Sequence, residues 1–237
     1  MSMRLRLFPL NAVLFPGAVL NLHVFEQRYK QLIGECLESG EGFGVVLIRE
    51  GEEAADAAVE PHAVGSIAEI QEVVQLPFGR FYVSTIGRKR FHIRKIVSRE
   101  PYLLVDAELL DEEHDTDEQT ARLRDDVRAK FLEYADLIVQ FSGAQAGADL
   151  PGDPQTASFL VGDALQVSDS IKQRLLELNS TKERLEAELA FLHRLLPQLR
   201  TLLEKRAAEM ERRAAHDADD AQRGEQERYF GKYFSAN

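Results

Sequence analysis

Leu7-Phe8-Pro9-Leu10-Asn11-Ala12-Val13-Leu14-Phe15-Pro16-Gly17-Ala18-Val19-Leu20-Asn21-Leu22-His23-Val24-Phe25-Glu26-Gln27-Arg28-Tyr29 is the stretch on which the reading of the fold turns. Two apolar runs, Leu5 to Phe8 and Val19 to Phe25, flank a turn built on Pro16-Gly17. Proline sets φ near −65° for the second residue of a turn, and glycine accepts the positive φ that follows. Pro9 has no N–H for a ladder and is expected to end the first strand. Val19, Leu20, Leu22, Val24 and Phe25 supply a second strand, with Asn21 and His23 on its other face. Then the period changes: Tyr29, Leu32, Ile33, Cys36 and Leu37 fall at helical spacing. The opening therefore reads strand, turn, strand, helix.

Outward from there, Gly40 to Gly44 breaks the helix and Phe43 to Ile48 suits a strand buried on both faces. Arg49 to Ala63 is polar and rich in Ala and Glu, a loop bounded by Pro61. From Val64 the residues Ile67, Ile70, Val73 and Val74 continue a strand long enough to need a bulge. Leu76-Pro77-Phe78-Gly79-Arg80 is a hairpin connection, after which Phe81, Val83, Ile86, Phe91, Ile93, Ile96 and Val97 carry strand character. Arg88-Lys89-Arg90 reads as a solvated strand edge kept from aggregating by its charge. Pro101-Tyr102 opens a last strand, Leu103 to Leu109. Six or seven strands with one early helix predict a small antiparallel β-barrel or folded sheet over residues 1–110.

Beyond the acidic joint at Asp111 to Asp115 the pattern is helical, so the fold class is α+β with an all-α bundle over 116–213. Thr116-x-x-Gln119 and Ser180-Thr181-Lys182-Glu183 have capping-box spacing, and Asp153-Pro154 reads as an N-cap followed by proline at the first helical position. Ser168 is placed to cap a further short helix. Leu185, Leu189, Leu192, Leu196, Leu199 and Leu203 alternate steps of four and three. That is a coiled-coil seam or the apolar face of a helix in its own bundle, and six positions favour the bundle. Pro197 should kink or split this helix. Residues 214–237 form a charged tail ending in Tyr229-Phe230-Gly231-Lys232-Tyr233-Phe234, an aromatic end that either docks on a groove or hangs loose.

The net charge is −11. Residues 1–110 carry 12 Lys+Arg against 14 Asp+Glu, and residues 111–237 carry 17 against 26. An acidic surface repels phosphate, which argues against nucleic-acid and anionic-membrane partners. The single cysteine, Cys36, cannot pair within the chain and lies on the apolar face of its helix, so an inert buried thiol is expected. No leader-like or membrane-spanning apolar run occurs, and the cytoplasm is the default compartment. The six histidines show no metal-ligand spacing, and His114 among Asp111, Glu112, Glu113, Asp115 and Asp117 reads as solvated linker. Glu26 could serve as a general acid, but an ion pair with Arg28 suffices to explain it. No catalytic constellation, cofactor cradle or metal site is expected.

The ordered motifs Leu-Phe-Pro-Leu (7–10), Val-Leu-Phe-Pro-Gly (13–17), Phe-Glu-Gln-Arg-Tyr (25–29), Phe-Gly-Val-Val-Leu-Ile (43–48), Pro-Phe-Gly-Arg-Phe (77–81), Gly-Arg-Lys-Arg-Phe (87–91) and Pro-Tyr-Leu (101–103) resemble the amino-terminal, substrate-binding domain of Lon proteases. The likeness is closest to stand-alone bacterial proteins made of that domain. Within it, Arg90 matches the arginine of the Gly-x-x-Arg-Phe pattern and is expected to support the fold. No Gly-x-x-x-x-Gly-Lys-Ser/Thr cradle accompanies the resemblance, so the ATPase part of a Lon protease is not expected here. The resemblance implies a non-enzymatic module that binds polypeptide segments or a partner protein. Phe15-Pro16 and Pro77-Phe78 are the candidate rim of the binding surface, against the plainer reading that their apolar residues tuck inward. A small-molecule-binding regulatory module and an ATP-independent peptidase are the alternatives.

Overall fold

The computed structural model describes residues 2–51, 59–113, 117–143 and 150–234. The chain divides into two compact units. One joins Met1–Arg128 to Asp149–Ala190, and the other joins Ala129–Ala148 to Phe191–Asn237. This division differs from the expected 1–110 and 116–213, because the short helices after residue 150 group with the sheet.

In the first unit β1 (Ser2–Leu10), β2 (Val19–Val24), α1 (Gln27–Ser39), β3 (Phe43–Glu50), β4 (Glu60–Pro61), β5 (Val64–Leu76), β6 (Arg80–Ser98) and β7 (Leu103–Leu109) follow one another. The strand order is β1-β7-β6-β5-β3-β4, and β1 also pairs with β3, so five strands form a closed ring of hydrogen bonds. The β1–β3 pairing is parallel, Leu7 opposite Gly44 through Leu10 opposite Leu47, which makes the sheet mixed rather than wholly antiparallel. Pro9 lies inside β1 rather than ending it. Pairing with β7 stops at Leu7, so Pro9 sits where one side of β1 no longer needs a donor. The ring is packed by Leu5, Leu7, Val46, Phe91, Leu103, Val105 and Ala107. Gly44 makes room for this: a Cβ there would stand 2.6 Å from the Phe91 ring and 2.5 Å from Leu7.

Helix α1 covers a second cluster. Tyr29, Leu32, Ile33 and Cys36 face inward, and the Tyr29 ring stacks on Phe8 at 3.9 Å. Gly40 ends the helix in the left-handed conformation at φ 68°. Burial pushes the Cys36 thiol up to about 11, the inert state expected of it. The Tyr102 hydroxyl donates to Glu35, which also accepts from Arg6 Nε at 3.1 Å, so α1, β1 and the start of β7 are tied together. Those hydrogen bonds, Tyr102 first, hold the Glu35 carboxyl below its ordinary range.

Helix α2 (Glu118–Ser142) starts where Asp117 Oδ1 accepts the Thr120 N–H at 2.7 Å; Thr116 of the expected capping box lies outside the described residues. Asp153 caps α3 (Pro154–Ala164), as its sequence implies, by accepting from Thr156 N at 2.8 Å. Ser168 stands at the N-cap of α4 (Asp169–Glu177) without a side-chain cap bond. Ser180 Oγ accepts from Glu183 N at 3.1 Å and starts α5 (Thr181–Phe234). Pro197 lies inside α5 without ending it. In the second unit Arg206 donates to Phe141 O at 2.5 Å, and the rings of Phe131 and Tyr134 stand 6.2 Å apart. Of the leucine series, Leu185, Leu192 and Leu196 are buried within the single chain.

A buried polar centre joins the sheet to α3, α4 and α5. Arg90 on β6 and Arg184 on α5 meet the Glu112 carboxylate at 2.5 and 2.9 Å, and both arginines are almost wholly enclosed. Burial, the larger effect, holds the Glu112 carboxyl above its ordinary range, against the opposing pull of Arg184 and Arg90. The arginines also bond the orphan carbonyls at the end of α4. Arg90 donates to Leu176 O and Leu178 O at 2.6 and 2.8 Å, and Arg184 donates to Leu175 O and Leu178 O at 3.2 and 2.8 Å. Phe159 of α3 lies under both, its ring centroid 4.0 Å from Arg184 and 5.6 Å from Arg90.

One turn along α5 from Arg184, Glu188 is fully buried and neither carboxylate oxygen has a hydrogen-bond partner. Burial drives its carboxyl well above the ordinary carboxylate range, against a smaller pull from Arg184.

Two outcomes follow for stability. Replacing Arg184 by Met leaves Glu112 with one cation and removes the donor to Leu175 O and one of the two to Leu178 O at the end of α4, and urea unfolding should show a loss of about 3–5 kcal/mol. Glu188 binds its proton more tightly folded than unfolded, so its contribution is present at low pH and is lost as pH rises above the ordinary carboxylate range. The stability of the wild type relative to Glu188→Gln should therefore fall over that rise, and a constant difference across pH would show that Glu188 is ionised in the fold.

Candidate functional site

Between Arg80 and Gly87, β6 is flanked by β5 on one side and β2 on the other. β2 pairs only with β6, so among the described residues no strand covers its second edge. Alternation along these three strands sends Leu22, Val83 and Val73 inward and turns His23, Tyr82 and Val74 outward in one row. Tyr82 and Val74 are each 42% exposed. Val24 pairs with Phe81, which brings Phe25, 60% exposed, level with the hairpin end of the ribbon. Its ring lies 5.9 Å from that of His23.

The hairpin itself is built on Pro77–Gly79. Phe78 holds a left-handed backbone at φ 64° and is 91% exposed. A bulky residue in that region carries strain, and exposed apolar area at a strained turn points to a contact surface. Arg80 steadies the turn by donating from Nε to Pro77 O at 3.1 Å, its guanidinium 5.7 Å from the Phe78 ring centroid.

At the other end of the ribbon the Phe15-Pro16-Gly17 turn lies directly on β6. Gly17 N donates to Gly87 O and Gly87 N donates to Ala18 O, both at 2.8 Å. A Cβ on Gly87 would stand 2.2 Å from Phe15 O, so only glycine permits this approach. The turn drives the Phe15 side chain inward, 6.4 Å from the Phe159 ring and against Gly162 of α3. Phe15 is fully buried. The expectation that it forms a rim is thus corrected: it is the residue that tucks in. Pro16 stays half-buried and lines a cleft of about 640 Å3 together with Ile67, Glu69, Arg88, Lys89 and Phe159. Pro77 and Phe78 are exposed but stand at the far end of the β2–β6 pairing, so the structure does not bring the two candidate turns together.

The Arg88-Lys89-Arg90 cluster also sits differently from the expectation of a strand edge, because β6 is an interior strand. Between the pairs Ser66–Arg90 and Ala68–Gly87, β6 advances three residues for two on β5. This bulge breaks the alternation. Arg88 and Lys89 are both exposed, whereas Arg90 and Phe91 are both buried. Arg90 supports the fold, as its motif implied. Arg88 is held by Glu69 in a two-point contact at 2.9 Å through each nitrogen, and among the described residues no acid pairs with Lys89. Elsewhere, Glu26 pairs with Arg28 at 2.7 Å. Among the described residues no group of three His, Cys, Asp or Glu is arranged to hold a metal, and no helix is long and apolar enough to cross a membrane.

The model for the ATP-dependent protease La (LON) substrate-binding domain matches residues 4–194. The chain belongs to the Lon substrate-binding domain family. The match is to the substrate-binding part of those proteases, not the protease part. It is 29% identical to the Lon protease of Flavobacterium johnsoniae over 195 residues, 77% of this chain and 23% of that one. Lon protease 2 of Syntrophobacter fumaroxidans is 27% identical over 201 residues, 83% of this chain and 25% of that one. The chain thus spans about a quarter of the length of these relatives. Among solved structures, the Lon N-terminal domain protein from Xanthomonas campestris superposes with a TM-score of 0.60 at 25% identity, covering 79% of this chain and 98% of that one. The N-terminal domain of Mycobacterium avium complex Lon protease, at 18% identity and a TM-score of 0.58, covers 81% of this chain and 98% of its own and shares the fold.

The two turns of this Lon-type domain should respond oppositely to truncation. Phe15→Ala empties a core position and should cost about 3–5 kcal/mol. Phe78→Ala removes an exposed ring and leaves the Cβ, and with it the backbone strain, in place, so it should change stability by less than about 0.5 kcal/mol in either direction. Chemical denaturation of both variants reads the difference.

Proposed function

We propose that the chain is a non-enzymatic module that holds polypeptide segments on the outer face of the β2–β6–β5 ribbon. The observation that carries this reading is the exposed apolar set Phe25, Tyr82 and Val74 on the ribbon, with Phe78 exposed at its hairpin turn, beside a β2 edge that no other described strand covers. A client in extended conformation would satisfy the free N–H and C=O groups of β2 by adding a strand. Its alternate side chains would then meet the outward row, main-chain bonds giving affinity and side chains giving preference. Membership in a family described as substrate-binding supports the same reading. The Cys36 thiol is enclosed, Glu26 is paired with Arg28, and Glu112 with two arginines.

Binding of a permanently unfolded, carboxymethylated protein, followed by fluorescence anisotropy, tests this. The double variant Phe25→Ala/Phe78→Ala should bind at least about tenfold more weakly, as loss of two apolar anchors implies. Its circular dichroism should match the wild type. Equal affinity of the two proteins would remove the ribbon face as the binding surface.

A further inference from the structure

The bulge in β6 does something the polypeptide-binding reading does not require. It turns two successive cations to the same side, in a chain whose net charge is −11. Both line the cleft, whose wall is otherwise apolar at Pro16, Ile67 and Phe159, bare at Gly17 and Gly40, and polar at Gln155, Thr156 and the Glu69 that pairs with Arg88. A Cβ on Gly17 or Gly40 would meet nothing within 4 Å, so the glycines leave the cleft open rather than filling it. A smaller hollow of about 220 Å3 shares Pro16, Arg88, Lys89 and Phe159 and extends the same groove toward Asp111. Arg88 is partly neutralised by Glu69, whereas Lys89 has no acidic partner among the described residues. The groove thus offers an apolar floor with one uncompensated positive charge at its side.

We propose that this cleft receives an acidic segment of a bound polypeptide, with a carboxylate on the Lys89 ammonium and a neighbouring aliphatic side chain against Pro16, Ile67 and Phe159. The proposal rests on the polypeptide-binding reading and names the clients it selects. Extended chains with acidic residues among apolar ones are accepted because the Lys89 ammonium receives a carboxylate. This local attraction acts against the repulsion of a chain whose net charge is −11, and a basic residue placed beside Lys89 is repelled. Nucleic acid carries a charge at every residue and has no aliphatic side chain for the apolar part of the cleft, whereas among the described residues the cleft offers one cation without an acidic partner.

Three labelled peptides on the full chain test this: alternating Leu and Asp, its Leu and Asn counterpart, and a Leu and Lys version. Anisotropy should rank Asp above Asn above Lys, with the Asp–Asn gap shrinking as salt is raised. Lys89→Glu reverses one exposed charge and should weaken the Asp peptide about five- to tenfold while leaving the Asn peptide unchanged. Equal affinity for the Asp and Asn peptides, or indifference of the Asp peptide to Lys89→Glu, overturns the proposal. If those peptides still depend on Phe78, the wider binding reading stands without it. Binding of none of the three overturns both. A labelled single-stranded oligonucleotide that binds more tightly than the Asp peptide and is lost with Lys89→Glu would assign the cleft to phosphate instead.

Discussion

The Glu112 carboxylate held between Arg90 and Arg184 is the contact on which the first unit depends. Its three residues come from β6, from the segment after β7, and from α5, and they meet with both guanidiniums buried. Burying an ion pair earns little against an apolar packing of the same volume, because desolvation offsets most of the attraction. What the triad adds is placement. Helix α4 ends at Leu178 without a left-handed cap, and its terminal carbonyls are satisfied by guanidinium N–H groups instead. Phe159 under the same arginines fixes α3, and α3 in turn closes over Phe15. Remove the triad and the Pro16 side of the cleft loses the helix it faces.

Glu188 shows how closely the site is matched to a single anion. Arg184 lies one turn away on the same helix, yet Glu112 takes the guanidinium and Glu188 is left without a hydrogen bond. A second buried carboxylate in that neighbourhood can remain only as the neutral acid. The protein therefore carries a stored cost in α5, beside Gly162 and Phe15. No residue on the surface reveals it.

Much of this architecture is written in local sequence. The turn at Pro16-Gly17, the helix ended by Gly40, the hairpin at Pro77–Gly79 and the caps at Asp153 and Ser180 all follow from residue chemistry acting over a few positions. Strict period-two reading of β2 would also have placed Val19 and Phe25 outward with Asn21 and His23, since Leu22 and Val24 face in. What is not local is not legible. The parallel β1–β3 closure depends on Gly44 meeting Leu7 across the ring. Phe15 is buried because Gly87, far along the sequence on β6, admits its backbone. The exposure of Arg88 and Lys89 against the burial of Arg90 depends on a register shift relative to β5 that three adjacent basic residues cannot announce.

That register shift links the interior to the surface. An unbulged β6 would alternate, and Arg88 and Arg90 would share a face with Lys89 opposite them. The extra residue instead allows Arg90 to reach Glu112 while Arg88 and Lys89 both stay on the cleft side. The same strand carries Tyr82 on the outer face of the ribbon, six residues before Arg88, about 20 Å along an extended chain. A single strand thus bears an exposed aromatic residue near its start, two exposed cations midway along it, and the anchor of the buried triad just beyond. Neither surface can shift relative to the core without moving β6, and β6 is held by the ring strands β5 and β7 and by Glu112. The spacing between Tyr82 and the Arg88–Lys89 pair is therefore set by the fold.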